Sequence, residues 1–149
     1  MNPESIRIHK ISKTGMEIHT LFGYPKECCG VLFGHINKDG QAQVIEALPL
    51  ENNAEEDNSG RQYIVDPLSL YKWETEGKKR GMEIVGFYHS HPDKKAILSG
   101  EDERRMIPGQ VYIILSVEDR KCKEISAWKK QTINGKAGRL VIDYEEIRL

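Results

Sequence analysis

The run Val85-Gly86-Phe87-Tyr88-His89-Ser90-His91-Pro92 constrains this chain most. Its first half is short and apolar, the mark of a strand buried in a sheet. Its end sets His89 and His91 two residues apart, so both imidazoles leave one face of the strand and can meet at a point. Seven residues separate His91 from Ser99, enough to bring the next segment back over the strand end. Ser99-Gly100-Glu101-Asp102 has the Ser-x-x-acid form of a helix capping box, with Asp in place of the usual Glu or Gln. Asp102 then stands in the first turn of a short helix. Ser99 can cap that helix and still present its hydroxyl. Two imidazole nitrogens and a carboxylate oxygen are a donor set of hydrolytic zinc sites, which keep a fourth position for water. The His-Glu-x-x-His and His-x-x-Glu-His signatures are absent, as is the deaminase pattern His-x-Glu…Pro-Cys-x-x-Cys. A general base must therefore come from elsewhere in the chain.

The remaining segments read as a mixed α+β domain. Ser5 to Ile11 alternates as a strand, and Ser12 can cap a helix in which Ile18, Leu21 and Phe22 share a face. Gly23 and Pro25 end it. Val31 to Gly34 is a short strand, and Asn37-Lys38-Asp39-Gly40 is a hairpin turn leading to a strand that ends near Leu50. Glu51 to Gly60 is a polar loop, and Arg61 to Val65 another strand. Asp66-Pro67 starts a helix with Leu70, Tyr71, Trp73 and Gly77 on one face, ending near Gly81. The Ser99 helix runs to about Ile107. Gln110 to Val117 and Cys122 to Lys130 form a hairpin around Glu118-Asp119-Arg120-Lys121, and Arg139 to Tyr144 is a last strand. Hairpins mixed with helices indicate a sheet with helices packed on it.

The 149 residues suit one domain, 1–149, with a real core. A net charge of −1 offers no field for nucleic acid or an anionic membrane. No basic region with an apolar core opens the chain, and no apolar run is long enough to cross a bilayer. Cys28, Cys29 and Cys122 form no spaced framework, so reduced thiols and a cytoplasmic setting are expected. Cys28 and Cys29 read as buried thiols beside a glycine rather than ligands or nucleophiles. His9, His19 and His35 read as packing or surface residues, and Trp73 and Trp128 as core aromatics.

His89-Ser90-His91-Pro92, six further residues, Ser99, two residues and Asp102 match in full the His-Ser/Thr-His-Pro-x6-Ser-x-x-Asp motif of the JAMM (MPN+) metalloproteases. Glu27-Cys28-Cys29-Gly30-Val31-Leu32-Phe33-Gly34 resembles the upstream glutamate element of that family. Tyr63-Ile64-Val65-Asp66-Pro67 and the loop containing Asn53 extend the similarity, to the short prokaryotic branch, over roughly residues 5 to 148.

The resemblance implies the MPN/JAMM fold, a cytidine-deaminase-like curved mixed sheet flanked by helices. It implies Zn²⁺ on His89, His91 and Asp102, Glu27 as the base and proton carrier, and Ser99 as the donor to an oxyanion. It also implies a metallopeptidase that cuts after the C-terminal Gly-Gly of a small ubiquitin-like β-grasp sulfur carrier of the ThiS/MoaD type. An isopeptidase that frees such a carrier from lysines would use the same site. A non-catalytic MPN scaffold is the reading of a different class. The sequence leaves the oligomeric state open, a homodimer included.

Overall fold

The computed structural model describes residues 4–50 and 67–146. The expected 51–60 loop, the 61–65 strand and the Asp66 cap lie outside the described residues. In chain order the elements are β1 (Ser5–His9), α1 (Lys10–Gly23), β2 (Cys29–Ile36), β3 (Ala42–Leu50) and α2 (Pro67–Lys79). Then come β4 (Glu83–Pro92), α3 (Gly100–Arg105), β5 (Val111–Glu118), β6 (Lys121–Lys129) and β7 (Gly138–Glu145).

The strands form one mixed sheet in the order β1-β3-β2-β4-β5-β6-β7. β1 lies parallel to both β3 and β7, so the sheet curls until its ends meet. β2 runs antiparallel to β4, and β4 parallel to β5 with α3 in the crossover. The fold is thus the expected α+β class, a curved mixed sheet flanked by helices.

Each face of the sheet has its own apolar cluster. On one face Ile6, Ile8, Leu32, Val44, Val85, Tyr88, Ile113 and Leu115 pack with Met16 of α1. On the other face Cys29, Val31, Phe33, Phe87 and Tyr112 pack with Leu70 and Trp73 of α2. Gly77 of α2 meets the Phe33 ring so closely that an added Cβ would lie 2.8 Å from it. Tyr71, expected on that packed face, points outward instead.

One irregularity decides where the histidines go. Leu32 pairs with Gly86 and Phe33 with Ile84, which leaves Val85 as an extra, bulged residue. A bulge shifts the alternation of its strand by one. Val85 and Tyr88 therefore face the α1 side, while Ile84 and Phe87 face the α2 side. His89 and His91 continue the Phe87 row. Without the bulge they would share the face of Val85.

The helix expected from Ser12 starts earlier. β1 ends at His9, and α1 begins at Lys10 with His9 in the cap position. Ser12 lies inside the helix and donates to the Ile45 carbonyl at 2.7 Å. The buried face of α1 is Ser12, Met16 and Thr20, not Ile18, Leu21 and Phe22. Thr20 satisfies its hydroxyl on the Met16 carbonyl, so two hydroxyl residues sit in the interface without an unmet donor.

Candidate metal centre

Cys29 pairs with His89 across the antiparallel β2–β4 ladder. The Ser90 amide donates to the Cys28 carbonyl at 2.9 Å, and the Cys28 amide to Ser90 Oγ at 2.8 Å. Glu27 lies just before β2, and its carboxyl is close enough to feel the charges of His91 and Asp102. Opposed residues of a ladder point to one face, so His89 projects on the α2 side with Cys29, and His91, two residues on, does the same. On the other flank, parallel pairing sets Ser116 beside His91 and Ile114 beside His89.

α3 closes the site from above. Ser99 Oγ accepts from the Asp102 amide at 3.0 Å, and Asp102 Oδ2 accepts from the Ser99 amide at 3.3 Å. This is the expected capping box, and it aims the same Oδ2 atom at the histidines. Asp102 Oδ2 lies 3.0 Å from His91 Nε2 and 3.4 Å from His89 Nε2, and the two Nε2 atoms are 3.2 Å apart.

The residues fit a metal ion. A tetrahedral cation with bonds of about 2.0–2.1 Å holds its ligand atoms about 3.3–3.4 Å apart. The triangle of His89, His91 and Asp102 has that size, and both histidines are buried. The far side of His91 is fixed as well. Its Nδ1 lies 2.9 Å from the Lys95 carbonyl, an acceptor only, so Nδ1 carries a proton and Nε2 is the atom turned to the triangle.

The electrostatics suit a cation. Burial pushes the Asp102 carboxyl up, but hydrogen bonds from His89 and His91 outweigh it and hold the group well below the usual carboxylate range. Burial lowers His89. Burial also opposes the charged form of His91, but the Asp102 bond and the Lys95 carbonyl overcome it and raise the ring. Glu27 is 7% exposed. Burial lifts its carboxyl to about 7, with His91 opposing and Asp102 adding to the rise. Burial pushes the Cys29 thiol up to about 12, so it stays protonated beside His89 and offers no competing thiolate.

Sequence reasoning missed the residues that hold the β4–α3 connection. Three successive carbonyls are tied down there. Lys94 accepts from Ser116 Oγ, Lys95 faces His91, and Ala96 accepts from Ser126 Oγ at 2.5 Å. Ser126 Oγ in turn accepts from Trp128 Nε1 at 2.8 Å. Behind α3, Lys130, only 2% exposed, donates to the Glu103 and Ile133 carbonyls. The signal was present: a lone serine in an apolar strand such as Val111–Glu118 must find a buried partner. The partner's identity was not readable.

A curved mixed sheet with helices on both faces, and a His-His-carboxylate triangle at its strand ends, defines a metal-binding α+β domain. Residues 17–131 match the model of the prokaryotic homologs of the JAB domain, and the chain belongs to that family. It is 38% identical over 98 residues to a desampylase of Haloferax volcanii, covering 64% of this chain and 66% of the relative. It is 33% identical over 76 residues to a desampylase of Pyrococcus furiosus, covering 51% of this chain and 49% of that one. The chain thus spans about half to two thirds of the length of these curated relatives. Its fold is that of a protein of Desulfitobacterium hafniense solved in solution, with a TM-score of 0.82, 26% identity, and coverage of 95% of this chain and 94% of the other.

Proposed function

We propose that this chain is a zinc metallopeptidase of the JAMM type that hydrolyses the acyl bond after the C-terminal Gly-Gly of a small ubiquitin-like β-grasp protein. The observation that carries this reading is the triangle of His89, His91 and Asp102, with a buried carboxyl, Glu27, near enough to be shifted by the charges of His91 and Asp102. The nitrogen and oxygen donors and the tetrahedral spacing favour zinc.

A cation held by these three side chains supplies Lewis-acid polarisation of the carbonyl and a water nucleophilic near neutral pH. Glu27 takes a proton from the attacking water and returns it to the leaving amine, a task suited to a carboxyl lifted to about 7. Ser99 Oγ spends one lone pair on the Asp102 amide, so its O–H can donate to the oxyanion as charge develops. Ser116 and Ser126 hold the β4–α3 connection in place through the Lys94 and Ala96 carbonyls.

The preferred substrate is a ThiS/MoaD-type sulfur carrier with a few residues beyond Gly-Gly, because a bare Gly-Gly tail can enter a narrow site as an extended strand. A lysine-linked conjugate offers the same acyl group with a different amine, and the desampylase relatives favour that second reading. The test is to incubate zinc-loaded protein with extended carriers and with lysine-linked conjugates, then weigh the products. The expected product ends in Gly-Gly. Unchanged mass across both panels would overturn the reading. Cleavage of conjugates alone would select the isopeptidase. The three retained donors and Glu27 speak against a metal-free scaffold.

A further inference from the structure

α3 is the least self-sufficient element of the site. It has six residues and buries none of them, and a helix that short is marginal by itself. Yet it carries Asp102 and opens on Ser99. Its place over the histidines must be held from outside.

The connection from β6 to β7 supplies the hold. Lys130, the first residue after β6, is 2% exposed. Its Nζ donates to the Glu103 carbonyl at 2.7 Å and to the Ile133 carbonyl at 2.9 Å. The Glu103 carbonyl is among the last four of α3, which have no i+4 amide of the helix to accept from. The Met106 amide reaches it only at 3.3 Å. Glu103 Oε2 accepts from the Ala137 amide at 2.9 Å, at the other end of the same connection. The Lys130 carbonyl in turn accepts from the Gly109 amide at 3.0 Å, beyond α3. The two ends of 130–137 thus grip Glu103 from behind, while Asp102 beside it faces forward to His89 and His91.

A lysine is a costly choice for this place. Burying an ammonium on two neutral carbonyls is less favourable than burying a methionine of similar length, and it freezes a long flexible side chain. An apolar side chain would fill the same space. What lysine adds is a directed, charge-assisted bond to a helix carbonyl. We propose that Lys130 is a positioning residue: it sets α3 against the sheet and thereby holds Asp102 and Ser99 over the histidine pair. Only the purpose of the hold rests on the metallopeptidase reading; the hold itself rests on these bonds.

Lys130→Met tests this in two readouts. In the zinc-free protein, the Glu103 and Met106 amides should exchange with solvent about tenfold faster than in wild type, and those of β4 and β5 at the wild-type rate. In chelator competition, zinc should bind about tenfold or more weakly, as it does when support behind a ligand is lost. Glu103→Ala releases the other end of the grip and keeps Lys130, so it should move both readouts the same way even where Lys130→Met folds poorly. Glu103→Gln, which keeps an acceptor for the Ala137 amide, should recover both. Unchanged α3 exchange in Lys130→Met and Glu103→Ala would overturn the proposal, as would faster exchange with wild-type zinc affinity. Exchange quickened throughout the sheet would make Lys130 an ordinary core residue and overturn it too. A wild type that takes up no zinc would sink the metallopeptidase instead, and faster α3 exchange would then still uphold the clamp.

Discussion

Glu27 ionises in a place that disfavours charge, and Glu27→Gln separates that burden from its chemistry. Its carboxyl, at about 7 in the folded chain against an ordinary 4.5, binds its proton more tightly folded than unfolded. The linked stability is complete below 4.5 and is lost as pH rises through 7. Metal-stripped Glu27→Gln should therefore melt several degrees above metal-stripped wild type at pH 8, and alike at pH 4. Zinc-loaded, it should have lost turnover by about a hundredfold or more. Equal melting at pH 8 would show that the buried carboxyl carries no such burden. Ser126 acts at longer reach. Its hydroxyl holds the Ala96 carbonyl next to the Lys95 carbonyl that orients His91. Ser126→Ala should weaken zinc binding about tenfold, the usual cost of losing support behind a ligand, and Ser126→Thr should recover part of it. Chelator competition measures both.

Among the elements, the β5–β6 hairpin turns on Asp119 and Arg120, both at positive φ, 53° and 60°. A side chain in that region costs about 1–2 kcal/mol, and glycine escapes it. Arg120→Gly should stabilise the chain by about 1 kcal/mol in urea unfolding. A loss would mean that Arg120 makes a contact worth more than its strain. Gly30 is the opposite case. It lies opposite Tyr88, whose ring carbon would be 2.0 Å from an added Cβ, and His19 holds the Tyr88 hydroxyl at 2.7 Å. Gly30→Ala should cost about 3 kcal/mol or more, since the ring has nowhere to go. Turns with a local chemistry were legible in the sequence. Gly40 and Gly81 do stand at positive φ, 82° and 73°, where a hairpin and a helix stop were expected. The face of α1 was misread because its apolar period is real but points outward, while the packed side uses Met16 and two hydroxyls. The Val85 bulge has no sequence mark of its own. It exists only relative to β2, so strand alternation alone could not say which face receives the histidines.

At the scale of the molecule, the site joins three separate pieces: the residues before β2, the end of β4, and α3. The spacing from His89 to Asp102 made the second and third pieces legible, because one Asp102 oxygen both completes the helix cap and faces the two histidines. The first was not derivable from spacing, since Glu27 stands 62 residues before His89 and comes near His91 only because β2 pairs with β4. A metal bound across β4 and α3 also cross-links the fold. Zinc at a hundred times its dissociation constant should add about 2.7 kcal/mol, and chelation should lower the melting temperature accordingly. Among the described residues, no helix is long and apolar enough to cross a membrane. The most direct check of the account is zinc per chain, measured after gel filtration in wild type, Glu27→Gln and His91→Ala. The assignment predicts one zinc in the first two and close to none in the third. Equal loss from Glu27→Gln and His91→Ala would make Glu27 a ligand rather than the base, and zinc retained in all three would place the metal elsewhere.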